Sequence, residues 1–228
     1  MVKPRRRNLS GTRQIRIIPT RFPPVDLFET LVDADELEIA YAIESLTNDR
    51  VQAQIGQLHL LDKREWVTGP GATVVMAAFT HIGRRSRFSD GRYGVYYAAL
   101  DEEAAVAETV FHTERRLRET QEPAIELDMR CHIGEIRSPL DDIRGAAYAA
   151  LRNPDLATWP DCQRFAAERR EQGSNGILYR SARRDSGECI GAFRPRSISL
   201  PQQGQRLRYH WNGARIDRVM AVGYIRVL

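Results

Sequence analysis

The chain has 228 residues, 42% hydrophobic and 28% charged, with a formal net charge of +4. This length suits one domain of ordinary size with a sizeable core. No apolar run is longer than that from Val74 to Phe79, far below the roughly 18 residues a membrane helix needs, and the basic N-terminal MVKPRRRNLSGTR has no apolar stretch after it, so no spanning segment or secretory signal is expected and a cytoplasmic location is.

In chain order, residues 1–12 read as a flexible basic arm, followed by a single domain over residues 13–228 that includes an acidic helical insertion at about residues 30–70. Gln14 to Ile18 is a short strand stopped by Pro19, and Pro23-Pro24 enforces an extended turn. Asp33 to Asn48 has the pattern of an amphipathic helix with acids in its first turn, and a second helix is expected over Arg50 to Leu61. After Gly69-Pro70-Gly71, ATVVMAAFTH is a buried helix by length, although periodicity alone does not separate it from a strand.

VYYAAL, Val95 to Leu100, is a strand with Val95, Tyr97 and Ala99 on one face. Asp101 is the N-cap of the next helix, with Glu102 and Glu103 favourably placed on its dipole. Running to about Arg118, this helix carries an apolar arc of Ala104, Ala107, Val110, Phe111 and Leu117, with Glu108 at the edge of the arc. Its alanines would let another backbone or a ligand approach closely. Further strands are expected at 124–129, 133–137, 176–180, 188–193, 207–211 and 219–227, and helices at 141–151 and 161–172, the latter between Pro160 and Gly173. The fold class is therefore α/β, of the α+β kind.

Cys131, Cys162 and Cys189 are far apart and form no C-x-x-C pair, and the five histidines show no i, i+4 pairing with one another, so no metal site is visible. Arginine supplies 32 of the 34 basic residues. Ten arginines fall in residues 180–228, whereas residues 26–49 hold eight acids and no base. This leaves room for a phosphorylated ligand, nucleic acid or an acidic partner surface.

RFSDGRYGVYYAAL, the AAVAET helix and the late GILYRSARRDSGECIGAFRP, in that order, resemble the RES domain, named for its arginine, glutamate and serine. The resemblance spans roughly residues 14–200. It implies a mixed, split β-sheet like that of ADP-ribosyltransferases, surrounded by helices. It also implies a toxin of a toxin–antitoxin pair that consumes NAD+ as a substrate, transferring ADP-ribose to an acceptor protein or, in a variant, to water or phosphate. Carried over by position, the strand-leading arginine is Arg87, the tyrosine Tyr97, the glutamate Glu108 and the serine Ser181. The N-terminal arginine is Arg21 or Arg16, with Arg21 favoured by its R-F-P-P-V-D-L-F-E context. Glu108, Arg87 and Tyr97 are then catalytic, and Arg21, Arg87, Tyr97 and Ser181 hold NAD+. The partner implied is a DNA-binding antitoxin that covers the site, with neither nucleic acid nor membrane bound directly.

The residue types suit this chemistry. Loss of a pyridinium leaving group builds positive charge on ribose, which a nearby carboxylate stabilises, while guanidinium forks match pyrophosphate. Each residue also has a plainer reading: Glu108 as a surface partner of His112 or Arg115, Tyr97 as core, Ser181 as a strand end, Arg87 as a surface cation, and His81 as a cap or core residue rather than a pocket wall. Two other classes of function stay open on sequence alone, a nucleic-acid-acting protein and a non-catalytic binding module.

Overall fold

The structure, a computed structural model, describes residues 2–20, 26–30, 33, 35–37, 39 and 57–223. Its strands are β1 (Arg5–Arg7), β2 (Arg13–Pro19), β3 (Tyr96–Ala99), β4 (Ile125–Glu135), β5 (Leu140–Asp142), β6 (Gly176–Arg180), β7 (Glu188–Ala192), β8 (Gln202–Trp211) and β9 (Ile216–Val222). The helices are α1 (Asp26–Thr30), α2 (Ala72–Thr80), α3 (Glu102–Glu119) and α4 (Trp159–Glu171). The strands form one mixed sheet in the order β1-β5-β6-β7-β3-β2-β4-β8-β9, antiparallel except where β5 meets β6.

Alternation along β3 sets the two layers. Val95, Tyr97 and Ala99 pack with residues of α3 and α4, including Ala104, Ala105, Cys162, Phe165 and Ala166. Tyr96 and Ala98 face Val74, Val75 and Phe79 of α2 on the other side. Although α2 is apolar all round, it is a helix because Gly71 (φ 91°) turns the chain into it and the Glu29 carboxylate accepts the N–H groups of Gly71 (2.6 Å) and Thr73 (2.9 Å). Phe28, Leu37, Leu58 and Trp66 form a satellite cluster against Ala72 and Met76 of this helix.

Several expectations are corrected. Arg5–Arg7 are not a loose arm: they form the edge strand beside β5, with Arg6 Nη2 donating to Gly173 O (3.4 Å) and Arg7 lying 3.8 Å from Asp142. The strands expected at 124–129 and 133–137 are one, β4, whose register against β8 shifts between Arg130 and His132 so that it continues through an irregular pair. No α-helix occupies 141–151. Asp142 instead accepts the Arg144 N–H (3.1 Å) and two of its guanidinium nitrogens, a local turn that competes with a helix, and only a 3-10 segment at Ala146–Arg152 follows. The last strand begins earlier, at Ile216, while residues 224–228 lie outside the described residues. Of the two helices expected over 33–61, residues 35–37 and 39 are helical and Leu58–Leu60 form a 3-10 turn; most of the remainder lies outside the described residues.

Candidate active site

The sheet is split where β2 meets β3. A single pair, Ile15 with Ala99, joins the two strands, whereas β2 pairs along its whole length with β4. The carbonyl of Tyr97 therefore has a side chain as its partner, Arg16 Nη1 at 3.0 Å. A cavity of about 340 Å³ opens over this split, lined by Arg16, Arg87, Tyr97, Glu108, His112 and Tyr179 among others. Arg16 lies 4.6 Å over the Tyr96 ring, with its Nε buried and unbonded. Burial pushes its guanidinium pKa down, against smaller opposing effects of Tyr96 and Tyr97.

Glu108 faces this cavity from the second turn of α3. Asp101 starts the helix by accepting the Ala104 N–H at 2.7 Å, which fixes the phase that turns Glu108 inward. The carboxylate is aimed by the turn after β6: Ser181 Oγ donates to Glu108 Oε1 at 2.6 Å and the Ala182 N–H at 3.2 Å. Ser181 Oγ also accepts the N–H groups of Arg183 (3.0 Å) and Arg184 (3.1 Å), so one hydroxyl ties the turn to the helix. Gly187 makes that approach possible, since a Cβ there would lie 2.7 Å from Ala104 Cβ and 3.1 Å from Ser181 Cβ. The alanine-rich helix face thus admits a neighbouring backbone at Ala104 and borders the cavity at Ala105. Oε2 of Glu108 points toward His112, 3.9 Å from its Nε2.

Arg87 is 7% exposed and is held by neutral groups: its Nη1 donates to Leu151 O (3.0 Å) and Asn153 O (3.1 Å). The Tyr97 hydroxyl is committed to the Ser86 hydroxyl (2.8 Å) and the Phe88 N–H (2.9 Å), so what Tyr97 offers a ligand is its ring face. Burial pushes that hydroxyl, and the Tyr179 hydroxyl, well up from the ordinary tyrosine range, so both stay protonated. Cys189 borders the cavity, but burial raises its thiol as well, which removes it as a nucleophile. The imidazole of His112 is about half exposed at the side chain, and the part of it that packs against the cavity pushes its pKa down, with Glu108 opposing and Arg183, Arg115 and Arg87 adding to the fall.

Glu108, Arg87, Tyr97 and Ser181 are thus brought together, the first three as cavity walls and the last as the donor that holds Glu108. Of the two N-terminal candidates, Arg16 is a wall; Arg21 lies outside the described residues. His81 is exposed at the end of α2 and is not a wall. His112 and Tyr179 had no assigned place in the site, though a signal existed for each: His112 is one turn after Glu108, and Tyr179 is two residues before Ser181. Among the described residues no group of three or more histidine, cysteine or acidic side chains is arranged to hold a metal ion, and no helix is long and apolar enough to cross a membrane.

The mixed sheet is thus split over a hollow in which one oriented carboxylate lies among guanidiniums. The RES domain family matches residues 59–212, and a protein of Sinorhizobium fredii (strain NBRC 101917 / NGR234), called uncharacterized protein y4oC, is 31% identical over 211 residues, covering 90% of this chain and 86% of that one. The chain belongs to the RES domain family. A solved structure described as the M. tuberculosis MbcT–MbcA toxin–antitoxin complex contains a chain that is 16% identical, with a TM-score of 0.38 over 57% of this chain and 73% of that one.

Proposed function

We propose that this chain is the toxin of a toxin–antitoxin pair, acting in the cytoplasm, that cleaves NAD+ at the bond between nicotinamide and ribose and passes ADP-ribose to an acceptor protein. Membership of the RES family supports NAD+ as the substrate. The observation that carries the chemistry is the Glu108 carboxylate, fixed on Oε1 by two donors and presenting Oε2 at a cavity wall.

In this reading the C1′–N bond breaks with its electron pair leaving on nicotinamide, which departs neutral. Positive charge then grows on the ribose beside Glu108, whose attraction is stronger in the transition state than in the ground state. The same carboxylate accepts a hydrogen bond from the ribose 2′-hydroxyl, a contact that tightens as the oxocarbenium forms. The acceptor's nucleophile bonds to C1′ and its proton passes to solvent. Ser181 acts through Glu108 rather than on NAD+ directly. The Tyr97 ring supplies a flat wall for nicotinamide. A cavity of about 340 Å³ takes the nicotinamide riboside half and lets the adenylate extend past the mouth. A DNA-binding antitoxin that covers this mouth would restrain the enzyme.

Purified protein incubated with NAD+ should release nicotinamide, and Glu108→Gln should slow that release about 100-fold or more without lowering the melting temperature. Release at the wild-type rate in the variant, or none in the wild type, refutes the reading. Adenine-labelled NAD+ then separates transfer to protein from release of free ADP-ribose.

A further inference from the structure

We propose that Arg183, paired with Arg87, forms a subsite for the pyrophosphate of the substrate, an inference that rests on the NAD+ reading above. The two guanidiniums are anchored on consecutive carbonyls of one loop: Arg87 Nη1 donates to Asn153 O at 3.1 Å and Arg183 Nη2 to Pro154 O at 2.8 Å. The guanidinium carbon of Arg183 lies over the Phe111 ring, 3.3 Å from its centroid. Phe111 is three residues after Glu108 on α3 and touches His112, a cavity wall, at 5.2 Å between rings. Arg183 is thus placed one helical turn along from the carboxylate, beside the cavity. The turn that orients Glu108 also sets Arg183, through its N–H bond to Ser181 Oγ.

Charge makes the arrangement informative. Among the described residues no carboxylate lies within ion-pair distance of Arg87 or Arg183, whereas the neighbouring Arg184 pairs with Glu103, and Arg144 with both Asp142 and Glu188. Arg183 is partly buried and its Nε is enclosed without a hydrogen-bond partner. Burial pushes its guanidinium pKa down, Glu108 pulls it up and Arg87 adds to the fall, which places all three charges within range of one another. Two partly desolvated cations that donate to neutral carbonyls, one of them resting on an aromatic ring, with Glu108 the one carboxylate acting on Arg183, hold more positive charge than the protein offsets, and a bound anion would relieve that excess. With Arg16 also in the wall, three guanidiniums against one carboxylate leave two positive charges. A pyrophosphate carries two negative charges and presents oxygens to two guanidinium forks at once.

The test is calorimetric titration of the full chain with ADP-ribose and, separately, with nicotinamide riboside, which has no phosphate. Arg183→Gln should weaken ADP-ribose binding about 10–100-fold and leave nicotinamide riboside unchanged. Arg183→Lys, with a point charge instead of a fork, should fall between. Arg164→Gln, which removes an exposed cation paired with Asp161, is the charge control and should match the wild type. With NAD+, Arg183→Gln should raise KM and leave kcat near the wild-type value. Unchanged ADP-ribose affinity in Arg183→Gln overturns the subsite, as does equal loss of both ligands or a wild type that binds no ADP-ribose. A wild type that binds ADP-ribose in an Arg183-dependent way but releases no nicotinamide leaves the subsite standing and removes the enzymatic reading. Nicotinamide release that ignores Arg183 does the reverse.

Discussion

Two buried arginines of this protein are treated in opposite ways. Arg169 on α4 meets Asp141 on β5 at 2.8 Å, with side-chain exposures of 6% and 0%, and its Nη1 also donates to Gln172 at 2.5 Å. Arg87, as deeply enclosed, meets two backbone carbonyls and shares its loop with Arg183. The first cation is neutralised by the protein and fastens a helix to the sheet near its β1–β5 edge. The second is positioned by the protein but not neutralised. This contrast between a counter-charge supplied in one place and withheld in another is what the subsite proposed for Arg87 and Arg183 rests on.

The largest effect should come from breaking the paired region. Arg169→Met leaves Asp141 buried and alone, with its Oδ1 already lacking a partner. Stability should fall by about 3–5 kcal/mol, read as a lower urea midpoint, while nicotinamide release per folded molecule stays at the wild-type level. If release fell at full folding instead, Arg169 would belong with the site and the contrast would fail.

The same division runs between what the sequence reveals and what it hides. β3 and α3 are legible because alternation, an Asp N-cap and a 3.6-residue apolar arc are all local, and this residue pattern by itself puts Glu108 at a core edge. Glu108 and Ser181 can be paired only through family resemblance, since the bond between them spans 73 positions. Family position alone leaves Arg16 and Arg21 as rivals; the place of Arg16 depends on β2 pairing fully on one side and at one residue on the other, a long-range fact. The carbonyl partners of Arg87 lie 64 and 66 residues away. The helix expected at 141–151 fails for a reason that is local and legible: aspartates and an arginine two residues on favour a side-chain turn over a helical one. Arg183 stands in the Y-R-S-A-R motif, but the role proposed for it rests on the uncompensated charge around it, which the motif does not show.

Acid should sharpen the contrast by adding a cation where none is compensated. His132 sits opposite Arg16 in the β2–β4 register, is 7% exposed, and has a buried Nδ1 with no partner. Burial first, then Arg16 and Arg130, pushes its pKa down to about 4. The unfolded chain takes up this proton near pH 6.5 and the folded chain only near 4. Stability contributed by neutral His132 is therefore complete above about pH 6.5, declines as pH falls toward 4 and is flat below, by at most about 3 kcal/mol. His112 acts in the same direction, so His132→Leu should remove part of the slope between pH 6.5 and 4 in denaturation midpoints and leave a residue. An unaltered slope in that variant would show that this histidine is not held neutral.

The smallest effect on stability, and the most telling, is expected at Arg87. Arg87→Met removes a buried cation and frees two carbonyls, one of which, Leu151 O, keeps Cys162 Sγ as a partner at 3.4 Å. Losing those hydrogen bonds destabilises by about 1–2 kcal/mol, and the relief of repulsion with Arg183 offsets part of that. The urea midpoint should therefore move much less than in Arg169→Met, while kcat/KM for NAD+ drops about 10–100-fold as the pyrophosphate loses a charged donor. Equal destabilisation by the two substitutions would mean that Arg87 is held for the sake of the fold, and the difference between a neutralised and a waiting arginine would vanish.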